Sequence, residues 1–129
     1  MPIRSNDANL KFSFKAAADL STYQFHGMYI SAADTVNLSG SNAICIGILQ
    51  NKPDAAGKGA SVAIVGVSQM VVDGSGTPIT AGCSLVTDAS GHGVITTTDT
   101  HNVAAIALAA STAAGDTIPV LVKQHKLAG

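Results

Sequence analysis

AICIGILQNKPDAAGKGASVAIVGVSQMVV, residues 43–72, carries clear strand and turn signals. Two apolar runs rich in β-branched residues, 43–49 and 61–72, bracket a segment that holds Pro53, Gly57 and Gly59. Such runs pack well on a pleated surface, while Pro and Gly interrupt them, so the stretch predicts strand, turn, strand. Shifted by 58 positions the pattern returns near the C-terminus: Ile48, Ala55, Ala56, Gly57 and Val62 fall on Ile106, Ala113, Ala114, Gly115 and Val120. One hairpin is used twice, and an internal duplication follows.

Working outward, Leu10, Phe12 and Phe14 alternate with Lys11, Ser13 and Lys15, the period of a strand with one apolar and one wet face. Residues 1–9 are polar and are expected to form a mobile arm. Residues 16–22 suit a bend or a helical turn. A strand is expected over 23–30, YQFHGMYI, with Gly27 marking a bulge or a close backbone approach. A short strand around Val36 and Leu38 leads into the central hairpin. After it, Gly74, Gly76, Pro78 and Gly82 break any regular element and separate the two halves. Residues 84–88 and 94–98 predict a second, more polar hairpin about a turn at 89–93.

The segment 103–113 is rich in alanine, which favours helix, but its match to 45–55 assigns strand followed by loop. Ile118, Val120 and Val122 form a closing strand, and Pro119 between them has no N–H to donate, which places it at an edge or bulge. The tail HKLAG is expected to fray. The fold class is mainly β, a small β-barrel or β-sandwich with an internal duplication and a flexible N-terminal arm. Residues 1–15 make the arm and first strand, and 16–129 a single β-rich domain. Closure is expected because open sheet edges invite aggregation.

The composition narrows the function. Charged residues are 12% of the 129, against about 25% in an average domain; there is no Glu and no Trp, and 47% is apolar. A lone soluble protein keeps a more charged skin, so this chain is expected to associate, as an oligomer or a surface-bound subunit. Net charge is −1 and the seven cations are scattered, which leaves no footprint for nucleic acid. The longest apolar runs, 43–49 and 103–110, fall far short of the roughly 18 residues of a membrane helix. The N-terminus MPIRSNDANLKFSF shows no apolar leader segment, and cytoplasmic synthesis is expected. In that compartment Cys45 and Cys83 are two reduced thiols.

Catalytic patterns are thin. All eight carboxylates are aspartates, nearly all beside turn signals, where Asp supports local backbone geometry. His26, His92, His101 and His125 have no H-x-x-x-H spacing and no neighbouring Cys, so no metal site is expected. Neither cysteine lies in a nucleophile elbow. GKGAS at 57–61 lacks the P-loop spacing and joins two strands, so it is no phosphate cradle. No cofactor is implied.

The central hairpin from Ile46 to Val72, with ITAGCSLVTDASG (79–91), AIALAASTAAGDTIPVLV (105–122) and the earlier DLSTYQFHGMYIS (19–31), resembles the capsid cement, or head decoration, proteins of tailed bacteriophages. The likeness lies in the ordered series of four blocks and covers the chain from about residue 15; the missing glutamate and the N-terminal arm depart from it. The resemblance implies a β-rich virion protein, made in the host cytoplasm, that binds the outer capsid surface as trimers at local three-fold sites and stabilises the shell. Its partners would be the major capsid protein and its own copies, with neither nucleic acid nor membrane. On this reading Leu10, Lys11, Phe12, Phe14 and Lys15 are the candidate contact residues, adding a strand to a capsid edge; on the plainer one they close the core. The alternatives are another head or tail subunit, such as a head-completion protein, or a small cysteine- or serine-dependent hydrolase.

Overall fold

The computed structural model describes residues 9–96 and 102–126. Among them there is no helix. The strands are β1 (Asn9–Ala16), β2 (Gly27–Ala32), β3 (Thr35–Leu38), β4 (Gly47–Leu49), β5 (Gly59–Asp73), β6 (Ser84–Thr87), β7 (Gly93–Ile95), β8 (Asn102–Ala107) and β9 (Ala114–Lys126). Residues 1–8 of the expected arm, the end of the second hairpin at 97–98 and the last three residues of the tail lie outside the described residues.

Hydrogen bonding runs β1-β3-β2-β4-β5, and β1 pairs back onto β5, so the first five strands close a circuit. A second circuit runs β5-β7-β6-β8-β9 and closes through β9 on β5. The 15 residues of β5 are a wall common to both. Its first half faces β1 and β4, and its second half faces β9. The strand passes from one circuit to the other at Gly66, which is opposite Asn9 of β1 and Val122 of β9. The protein is thus a pair of small β-barrel-like circuits sharing a strand.

The two circuits repeat each other in register. Adding 58 to the pairs Ile48↔Ala63 and Leu49↔Val62 gives Ile106↔Leu121 and Ala107↔Val120, which are observed. Adding 57 to Met28↔Leu38 and Ile30↔Val36 gives Leu85↔Ile95 and Thr87↔Gly93, also observed. An offset of 56 carries β1 onto the second half of β5, so that Phe14↔Ala60 becomes Met70↔Ile118. The left-handed residues recur as well: Phe25, Asp34 and Gly57 correspond to Gly82, Gly91 and Gly115. So do loop hydrogen bonds, with Phe25 N–H donating to the Leu49 carbonyl and Gly82 N–H to that of Ala107, each at 2.7 Å.

Each circuit encloses its own core. Leu20, Met28, Val36, Leu49, Ala60 and Val62 fill the first. Ile48, Met70, Ile79, Leu85, Ile118 and Val120 are among those filling the second. Alternation along β4 sends Ile48 into one core and Leu49 into the other. Each such side chain, fully buried, contributes about 1.5–3 kcal/mol. Between the cores a polar link survives: the Gln50 side-chain amide donates to Ser68 Oγ at 2.9 Å and to the Ile48 carbonyl at 3.0 Å.

Two expectations change in detail, while the alanine-rich segment is strand as its repeat assigned. Residues 23–26 form turns, and β2 begins only at Gly27, because Phe25 adopts a φ of 67° that no strand sustains. Residues 43–46 are irregular, leaving β4 only three residues. In that segment, β8, pairing with β6 and β9 on either side overrides alanine's helix preference. Pro119 sits inside the sheet, opposite Gln69. Its carbonyl accepts Leu108 N–H at 3.0 Å on the β8 side, so its nitrogen faces that side too, just past the end of the ladder. No bond to β5 is lost.

Candidate functional site

Strand β1 is paired with β5 along residues 9–15 and with β3 only at Lys15 and Ala16. Among the described residues, the other edge of β1 over 9–14 therefore has no strand beside it. Its apolar side chains emerge progressively from the molecule. Phe14 is half-buried against the first core, Phe12 is 50% exposed and Leu10 52%. Lys11 and Lys15 are exposed. Of the five contact candidates, then, Phe14 belongs partly to the core, and the other four present an amphipathic strand to solvent.

Next to β1 lies an apolar groove of about 410 Å³. Phe14, Ile46 and Ile64 line it and also pack on the first core, so the groove continues that core outward. Its rim is Ile30 of β2, Ile44 of the irregular segment and Val65 of β5, exposed by 45%, 73% and 56%. Single exposed aliphatics are ordinary on a protein surface, but a contiguous group of them marks an interaction site. The sequence pointed to β1 through its alternation. It missed the rim, because Ile30, Ile44 and Val65 look like core residues until the strand ends are known.

Cys45 also lines the groove, yet its thiol is buried and donates to the Gly47 carbonyl at 3.2 Å. Burial pushes its pKa up, against smaller opposing effects of the Gly47 and Met28 backbone and the Ser39 hydroxyl. That is the reverse of what activates a cysteine nucleophile. Cys83 is half-buried, packs beside the second core and is likewise a free thiol.

A polar cluster lies where the circuits meet, invisible to sequence reading because its members are far apart in the chain. His26 packs edge-on to Tyr23, with ring centroids 5.4 Å apart, and against His92 at 5.0 Å. His92 Nδ1 is 3.7 Å from Asp88 Oδ2. Asp73, Asp88 and His92 bring one potential ligand atom each to within 4.8 Å of one another. Both carboxylates are also committed to their own turns: Asp73 Oδ1 accepts from the Ser75 hydroxyl at 2.6 Å, and Asp88 Oδ1 accepts the Ser90 and His92 amides. Hydrogen bonds from Ser75 hold the Asp73 carboxyl below the usual carboxylate range.

Comparison with known proteins returns two findings. A family model described as phage cement protein matches residues 5–123. The crystal structure of the head fiber gp8.5 N base in bacteriophage phi29 is similar, with a TM-score of 0.66 at 17% identity, covering 93% of this chain and 98% of that one. At that identity the likeness is one of fold. No curated protein matches the sequence.

Proposed function

Because the chain belongs to the phage cement protein family and so is a structural component of a phage virion, we propose that it decorates the outside of the mature capsid and stabilises it. In this reading it binds the major capsid protein as trimers at local three-fold sites. The observation that carries the proposal is β1: Leu10 and Phe12, half in water, stand on a strand whose outer edge over residues 9–14 is open among the described residues. An extended capsid segment added along that edge would satisfy its N–H and C=O groups and cover the two side chains. Lys11 and Lys15 would face acidic or carbonyl groups of the shell, and Phe14 would hold the strand to the core.

The stabilisation is one of mass action. A ligand that binds the expanded lattice and not its precursor or its dissociated subunits adds RT ln(1 + [L]/Kd) to the lattice. Copies that bridge neighbouring capsomers gain further through effective concentration. Nothing in this mechanism requires bond chemistry.

Replacing both side chains tests the proposal, since deleting β1 would open the first circuit. Leu10→Ser with Phe12→Ser should leave the circular dichroism spectrum and thermal midpoint unchanged while lowering occupancy on expanded heads at least tenfold, measured by co-sedimentation. Wild-type occupancy by that folded variant would remove β1 from the mechanism.

A further inference from the structure

The duplication allows each surface of one circuit to be compared with its counterpart in the other. Five of the seven groove residues, Phe14, Ile30, Cys45, Ile46 and Ile64, correspond to Met70, Thr87, Val103, Ala104 and Val122, and the other two, Ile44 and Val65, to the half-buried Asn102 and the exposed Lys123, by the offsets that the strand registers fix. In the second circuit the first five counterparts are all buried, none more than 2% exposed. Met70 and Val122 are buried in the second core, while the first circuit packs on Thr87 and on the neighbouring Val71, Gly91 and Asn102. Phe25 carbonyl accepts Val71 N–H at 2.9 Å, Gly27 N–H donates to the Gly91 carbonyl at 3.0 Å, and Asn42 N–H donates to the Thr87 carbonyl at 2.9 Å. Thr87 Oγ1 donates to the Gly40 carbonyl at 2.8 Å, and the Asn42 side chain accepts Asn102 N–H at 2.8 Å. Gly27 packs so closely on Thr87 that a Cβ there would sit 2.5 Å from its methyl carbon.

The same place on the first circuit is bare: Ile30, the counterpart of the covered Thr87, is 45% exposed, and Ile44, the counterpart of Asn102, is 73% exposed. We infer that a second copy of this chain covers it, presenting the face of its second circuit around Gly82, Ser84 and Ile95. Those residues are the counterparts of Phe25 and Gly27, which bond to the second circuit within one chain, and of Leu38, which packs beside Gly91; the counterparts of Gly40 and Asn42 lie outside the described residues. The intermolecular contact then continues the packing of circuit on circuit that already exists inside the molecule. Neither face carries a charge among these named residues, so the contact is made by apolar fit. It is a head-to-tail contact between unlike surfaces, which closes into a ring when the rotation per step divides a full turn. The inference deepens the trimer reading given above and rests on it, by assigning the surfaces through which copies meet.

The test uses two variants that block one face each, Ile44→Lys for the groove and Ser84→Lys for the opposite face, with Ala81→Lys as the replacement should Ser84→Lys misfold. Light scattering after size exclusion should show the wild-type chain as a closed oligomer and each folded variant as a monomer. Mixing the two variants should restore a dimer and nothing larger, because one intact groove then meets one intact opposite face. A monomeric wild type, an oligomer that survives Ile44→Lys, or a mixture that stays monomeric would each overturn the inference. Co-sedimentation of the same proteins with expanded heads separates it from the functional proposal: a wild type that forms the ring but ignores heads defeats only the latter, and one that binds heads while Ile44→Lys keeps its ring defeats only the former.

Discussion

Gly47 has no room for a side chain. A Cβ on it would run into the Ala63 carbonyl oxygen, with a Val62 methyl 2.8 Å away, and β4 could not then lie against β5. Gly47→Ala is therefore expected to cost about 1–3 kcal/mol, in the range of overpacked cores. Gly59→Ala, at a position with open space around it, should cost under about 1 kcal/mol; urea unfolding of the two variants makes the comparison. At His26 burial holds the imidazole pKa below its ordinary value, against the Gln24 carbonyl that supports the charged form, with His92 lowering it further and Asp88 raising it. The unfolded chain takes up that proton first. The stability the neutral ring contributes is present above the unfolded value near 6.5 and is lost as the pH falls through the folded value. Thermal midpoints of His26→Gln measured from about pH 7 to pH 5 should fall less than those of the wild type; parallel curves would place the titration elsewhere. None of this was legible in the sequence, where His26 is a lone histidine in an apolar run and Gly47 one glycine among thirteen.

At the scale of elements, β5 is what the two halves share. Its pivot, Gly66, has a φ of 106°, a conformation that side chains with a Cβ avoid, and it is paired on both sides, so the surrounding ladders leave it no freedom to relax. Gly66→Val should destabilise by about 2 kcal/mol or more, and loss of circular dichroism and of tryptic protection in the two circuits should occur together; separate transitions would show that β5 does not couple them. The central hairpin was legible because its apolar runs and its Gly and Pro punctuation agree. The repeat was legible because Gly57 and Gly115 both sit at the left-handed step into a long strand, with φ of 86° and 83°. What the residues alone did not convey was the extent of each strand. Residues 43–46 are as apolar as a strand and yet irregular, since an apolar run can be satisfied by lining a groove as well as by pairing. The reach of β5 beyond Ser61 to Gly59 has no local mark at all.

For the whole molecule, mainly β architecture followed from periodicity and from the lack of any amphipathic helix, while the choice of a shared strand over two separate barrels needed the three-dimensional pairing. The candidate contact strand was visible in the alternation of Leu10, Phe12 and Phe14. The groove beside it was not, because its rim gathers β2, β5 and an irregular segment that only the closed circuit brings together. A chain with 12% charged residues that keeps Ile44 at 73% exposure has surface to cover, and under the proposed function a capsid and neighbouring copies cover it. The most direct measurement is cryo-electron microscopy of expanded heads lacking this protein, before and after its addition, followed by heating of both. Density capping the outer surface at local three-fold sites, together with a raised disruption temperature, is the predicted result; heads that gain no external density and break at the same temperature would contradict it.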